Sequence, residues 1–170
     1  MHILNYYFTP FAVILIVFAI YFSEPEKSVT WISFAILAAS FAVNYWFSKN
    51  TYRFMRWSRK IRSIIVWLYL ITSAVLFYLL GSYWAPMWLL FLIAPATSAM
   101  FMNKLQVFII AFVSAASMLG VYYVKSLLLE QSLGTQLWAM ASVQAIFVIF
   151  FSMFVAAMSE MILKVRDSLR

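Results

Sequence analysis

The sequence predicts an all-α, polytopic membrane protein with six transmembrane helices and a cytoplasmic helical extension at the C-terminus. Hydrophobic residues make up 66% of the chain and charged residues only 10%, against roughly 25% charged residues in soluble domains. The apolar residues form long runs without strict alternation, and such runs favour spanning helices over a barrel. The length of 170 residues suits one domain.

Short polar segments separate the predicted spans, and each span approaches the length needed to cross a bilayer. In order, the spans are Tyr6–Phe22, Trp31–Phe47, Ser63–Leu80, Met87–Met102, Val107–Val124 and Trp138–Ala157. Thr30 precedes the second span and is expected to cap its helix. We assign residues 1–158 to a membrane domain and residues 159–170 to the start of a cytoplasmic signalling helix.

Two features within the spans predict local structure. Pro95 is expected to kink or unwind the fourth span, because proline removes a backbone donor. Thr97 and Ser98 are expected to satisfy the carbonyls that this frees. Small residues on the fifth span predict close helix packing on its inner faces, at Ala111, Ala115, Ala116 and Gly120.

The basic residues predict the topology. Half of the twelve lie between the second and third spans, without an acid among them: Lys49, Arg53, Arg56, Arg59, Lys60 and Arg62. Six spans place both termini on one side, and ten of the twelve cations then lie on that side, which the positive-inside rule makes cytoplasmic. Arg53, Arg56, Arg59, Lys60 and Arg62 are expected to contact anionic head groups; nucleic acid is disfavoured because the loop joins two spans.

The sequence offers no catalytic constellation, metal site or cofactor motif, so we expect no enzyme activity in these residues. His2 is the only histidine, there is no cysteine, and the five acids all lie in loops or at helix ends. Gln144 is the best candidate for a ligand contact, because an amide inside a span needs a partner. An interhelical hydrogen bond is the favoured interpretation.

Aromatic residues near the outer ends of spans suggest where a small apolar signal would bind. Trp88, Tyr122 and Trp138 join Gln144 as candidate ligand-binding residues. The favoured alternative is that these aromatic side chains form the ordinary belt at the membrane interface.

The sixth span continues to the C-terminus without a glycine or proline to end its helix. Positions spaced as in a coiled coil predict a dimer seam, at Val155, Met158, Ile162, Val165 and Leu169. A plain amphipathic tail is the alternative. A chain that stops here is expected to be the input part of a longer protein.

With these features placed, the chain resembles the six-span N-terminal sensor region of bacterial histidine kinases and diguanylate cyclases. The resemblance rests on Leu92-Ile-Ala-Pro95, the short turn Asn103–Gln106, the small-residue fifth span and the helical tail Ser159–Arg170. It implies a homodimeric input module that passes a signal through its last helix to a cytoplasmic output domain. The alternatives are the substrate-binding membrane subunit of a vitamin-type uptake transporter and a membrane scaffold without a ligand.

Overall fold

The computed structural model describes residues 2–50, 58–128 and 134–168. Within these ranges the chain forms helices and turns and contains no strand, so the all-α class is confirmed. The α-helices are α1 (His2–Ser23), α2 (Lys27–Asn50), α3 (Ser58–Leu80), α4 (Ile93–Ala99), α5 (Lys104–Leu128) and α6 (Thr135–Ser168). A 3-10 helix, Ala85–Leu92, precedes α4.

Three helices are long and apolar enough to cross a membrane. The spanning segments are Ser63–Leu80 in α3, Lys104–Leu128 in α5 and Thr135–Ile162 in α6. Three other apolar helical segments are shorter, at Pro10–Phe22, Lys27–Val43 and Ala85–Ala99. The described residues therefore contain three helices that are both long and apolar enough to span, where six spans were predicted.

The chain divides into two compact units, Met1–Leu90 and Phe91–Arg170. In the first unit α2 packs against both α1 and α3. Glu24 ends α1 with a φ of 43°, a left-handed conformation in which helices often terminate. Pro25 follows and cannot continue the helix.

The start of α2 differs from the prediction. The helix begins at Lys27, so Thr30 lies inside its first turn instead of capping it. The backbone N–H and the hydroxyl of Thr30 both reach the carbonyl oxygen of Glu26, at 3.0 and 3.3 Å. The capping prediction was therefore wrong, because the polar segment preceding Trp31 already takes up helical geometry.

In the second unit α5 packs against α4 and α6, and α4 also contacts α6. Ala111 and Ala115 are buried, which confirms close packing on this face of α5. Ala116 and Gly120 are exposed, so their assignment to an inner face was wrong. The buried positions of α6 are also mostly small: Ala141, Ala145, Val148, Ser152 and Ala156.

The helical segment changes from 3-10 to α geometry shortly before Pro95, and the kink expected at Pro95 stays a prediction. The 3-10 helix ends at Leu92, α-helical geometry starts at Ile93, and Pro95 is the third residue of α4. Pro95 therefore lies in the first turn of α4, where proline is tolerated better than in the middle of a helix. All seven residues of α4 are buried.

Candidate functional site

The last helix is the element that the sequence analysis connects with function, and it is longer than a membrane span. α6 runs for 34 residues without interruption, which at 1.5 Å per residue corresponds to about 50 Å. The hydrocarbon core of a bilayer is about 30 Å thick and needs about 20 helical residues. The prediction that this helix continues unbroken is confirmed as far as Ser168.

The predicted dimer seam is split between two environments. Val155 is partly buried and packs against a buried cluster formed by Ala99, Val107 and Ala156. Met158, Ile162 and Val165 are exposed. Leu169 lies outside the described residues. Val155 therefore contacts its own chain, and its place in a dimer seam stays a prediction.

An ionic cluster joins the later part of α6 to the beginning of α5. The Glu160 carboxylate pairs with the ammonium group of Lys104 and, at 3.1 Å, with that of Lys164 one turn further along α6. The turn that presents Lys104 is ordered by Gln106, whose side-chain oxygen accepts a hydrogen bond from the Asn103 N–H at 3.3 Å. This is one half of a capping box, in which the third helical residue bonds back to the cap. Of these contacts, the Lys104–Glu160 pair joins α5 to α6.

A cleft of about 560 Å³ opens beside the ionic cluster. The turn between α4 and α5 forms one wall, and Ala156, Ser159 and Glu160 of α6 form the other. The cleft combines the apolar side chains of this turn with the polar groups of Asn103, Lys104 and Glu160. The cleft could not be predicted from the sequence, because its two walls come from segments more than fifty residues apart.

The candidate ligand residues come together only in part. The Tyr122 hydroxyl donates a hydrogen bond to Gln144 Oε1 at 3.1 Å, and Gln144 is 8% exposed. The contact joins α5 to α6, so Gln144 makes the interhelical hydrogen bond that the sequence analysis favoured. Trp138 is six residues before Gln144, about 120° around α6, and Trp88 lies on the 3-10 helix of the first unit.

The candidate lipid-contacting residues lie at the edge of the described structure. Arg53 and Arg56 are outside the described residues. Arg59, Lys60 and Arg62 belong to the first turns of α3. Their place immediately before the spanning segment Ser63–Leu80 agrees with a position at the membrane surface.

An apolar groove of about 520 Å³ lies between α2 and α3. Ala39 and Ser40 on α2 leave space beside Trp67, Leu68 and Ile71 on α3. The small residues at Ala35, Ala38, Ala39 and Ala42 are exposed and do not pack closely.

The residues in the described ranges include no cluster of three or more His, Cys, Asp or Glu side chains that could hold a metal ion. Comparison of the chain with protein-family models, curated proteins and solved structures finds no match.

Proposed function

We propose that this chain is a membrane-embedded sensory input module that passes a signal through α6 to a cytoplasmic output domain. The observation that carries the proposal is the continuity of α6, which joins an apolar spanning segment to a charged end without a break. A continuous helix transmits a shift or rotation made within the bilayer to whatever follows it. A loop or a glycine-rich linker at the same place would absorb that movement.

In this proposal all six apolar helical segments cross the bacterial inner membrane and both termini are cytoplasmic. α1 and α2 contain 22 and 24 residues, which is enough for about 30 Å of hydrocarbon. The 3-10 segment Ala85–Leu92 rises about 2.0 Å per residue, so it covers more distance than an α-helix of equal length. The distribution of cations, ten against two, supports this orientation.

The proposed mechanism is a population shift between two arrangements of α6 and α5. Small residues line the buried face of α6, and small side chains let two helices slide or rotate with little steric obstruction. The pairing of Glu160 with Lys104 favours one of the arrangements. A ligand or a change in the membrane acts as a signal when it favours the other. The module works as a homodimer, with the exposed seam residues Met158, Ile162 and Val165 between copies.

A chimera tests this function directly. The chain is fused through Arg170 to the catalytic domain of a dimeric diguanylate cyclase, and product is measured in cells at matched membrane expression. Leu163→Pro interrupts α6 within its charged end and is expected to uncouple the enzyme from the module, whereas Leu163→Ala keeps the helix. Equal product from both variants would contradict signalling through α6.

A further inference from the structure

The apolar groove between α2 and α3 lies beside a helix that is long and apolar enough to cross a membrane. Its α3 wall consists of Ile64, Trp67, Leu68, Ile71 and Thr72. All five lie within the spanning segment Ser63–Leu80. On the α2 wall, the small side chains of Ala39 and Ser40 help to leave a volume of about 520 Å³. Ligand sites typically have volumes of roughly 300–1,000 Å³, so the groove is large enough to hold part of a small molecule.

The groove has nearly the length of the acyl chains in one leaflet of a bilayer. On α3 it extends from Ile64 to Thr72, which at 1.5 Å per residue corresponds to about 12 Å. The hydrocarbon core is about 30 Å thick, so each leaflet contributes about 15 Å. Among the described residues that line the groove, only Ser40 and Thr72 have polar side chains, and none is charged. Such a lining suits a hydrocarbon chain.

The face of α3 that lines the groove continues toward the basic end of the helix. Lys60 precedes Ile64 by four residues and Trp67 by seven, so it belongs to the same side of α3, one turn before the groove begins. Arg62 is separated from Ile64 by about 160° around the helix and belongs to the other side. One cation is therefore placed at the end of the groove, on the side of the basic loop.

We propose that this groove binds one anionic phospholipid, with an acyl chain between α2 and α3 and the phosphate beside Lys60. The six cations of residues 49–62, without an acid among them, favour an anionic headgroup over a zwitterionic one. This site adds to the general attraction between the basic loop and head groups, because the groove selects one chain by shape and Lys60 selects one phosphate by position. It lies wholly in the first unit and does not depend on signalling through α6.

Charge favours a lipid over a second copy of this chain as the occupant of the groove. Two copies in one membrane have the same orientation, so their basic ends would lie at the same depth. Association through this face would bring those like charges together, which costs free energy. An anionic lipid brings the opposite charge to the same end of the groove, together with a chain that fits its apolar walls.

Native mass spectrometry of the full chain tests the site. The protein in detergent is titrated with a phosphatidylglycerol and, separately, with a phosphatidylcholine that has the same acyl chains, and the bound lipids are counted. Ala39→Leu fills the groove, and leucine is tolerated there because Ala39 is exposed. Ala38→Leu is the matched control, because Ala38 is exposed on another side of α2. Lys60→Gln and Arg62→Gln form the matched pair for charge.

We expect one phosphatidylglycerol to bind several-fold more tightly than phosphatidylcholine. Lys60→Gln should weaken that binding about five-fold, the effect of losing one cation near an anionic surface. Ala39→Leu should weaken it at least several-fold, because the chain loses its place between the helices. The variants Ala38→Leu and Arg62→Gln should bind phosphatidylglycerol as the unsubstituted protein does.

Equal affinity for the two lipids, or unchanged binding by Ala39→Leu, would overturn the proposal. Equal losses in Lys60→Gln and Arg62→Gln would also overturn it, because the loop would then attract lipid through its total charge alone. Loss of a dimeric species in Ala39→Leu, with the lipid adduct retained, would assign the groove to a second copy. The coupling test with Leu163→Pro decides the proposed function separately.

Discussion

The hydroxyl of Ser114 on α5 donates a hydrogen bond to the backbone carbonyl oxygen of Phe91 at 2.7 Å. Phe91 is four residues before Pro95, and proline has no N–H to supply the α-helical bond to that carbonyl. A side chain of the neighbouring helix thus compensates for the proline. Thr97 and Ser98 were expected to supply the donors for the carbonyls that proline leaves free. Ser98 instead donates to the carbonyl of Pro95 at 2.7 Å, and the buried Thr97 hydroxyl has no hydrogen-bond partner within the described ranges.

The Ser114–Phe91 contact predicts a dependence on Pro95. Ser114→Ala should lower the free energy of unfolding by about 1 kcal/mol, the usual range for interhelical hydrogen bonds in membranes. In a Pro95→Ala background the same substitution should cost less, because the alanine introduced there supplies an N–H to the Phe91 carbonyl. Denaturation in bicelles of the unsubstituted protein, the two single variants and the double variant gives the coupling energy.

Ser142→Ala is the control for this cycle. The Ser142 hydroxyl donates to the Trp138 carbonyl within α6, at 2.8 Å, so its loss should change stability little. Additive effects of Ser114→Ala and Pro95→Ala would show that the hydroxyl does not replace the proline's missing donor.

Gly81 and Gly120 should respond in opposite ways to alanine. A Cβ atom at Gly81 would lie 2.5 Å from the carbonyl oxygen of Phe77, closer than real Cβ atoms approach backbone oxygen. Gly81→Ala should therefore destabilise the protein by about 1–3 kcal/mol, as overpacking does. A Cβ at Gly120 would meet nothing within 4 Å, and Gly120→Ala should stabilise α5 slightly. Thermal unfolding of both variants in one detergent provides the comparison.

Tyr122 and Gln144 should behave as an energetically coupled pair. Tyr122→Phe removes the donor to Gln144 Oε1 and leaves a buried amide oxygen without that bond, at a cost of about 1 kcal/mol. Gln144→Leu removes the acceptor. The double variant should cost clearly less than the two single variants added together. If the effects of the two single substitutions on stability simply add, the hydrogen bond does not link α5 to α6 energetically.

Reporter fusions should establish the orientation. Fusions after Arg170 and within Lys49–Arg62 are expected to report cytoplasm, and a fusion after Lys27 is expected to report the opposite side. The physical reason is the retention of basic loops on the cytoplasmic side during insertion. An external C-terminus would contradict the proposed number of spans.

The sequence predicted the features that depend on neighbouring residues. The apolar runs predicted the helical class, and the lack of glycine and proline after Trp138 predicted the unbroken α6. Gln144 was expected to need a partner, and Tyr122 provides it. Each of these predictions depends on residues within one span and on the requirement that polar groups inside a membrane find partners within the protein.

Contacts between distant segments were harder to predict. The Ser114–Phe91 bond and the Lys104–Glu160 pair depend on how α4, α5 and α6 pack. The sequence pattern also could not predict which face of α6 packs against its own chain. In an apolar span, several lines of residues have equally suitable spacing. Val155 was assigned to the seam on spacing alone, and the structure shows that it also packs against Ala99 and Val107 of its own chain.

The measurement that tests signalling through α6 most directly is a series of alanine insertions between Ser168 and the catalytic domain of the cyclase chimera. Each inserted residue rotates the output domain by about 100° relative to α6. We predict that two inserted residues change cyclase activity strongly and that seven or eleven, which nearly restore the original angle, return it toward the starting value. Activity that is the same for every insertion would contradict the account, because α6 would then serve as an anchor and carry no signal.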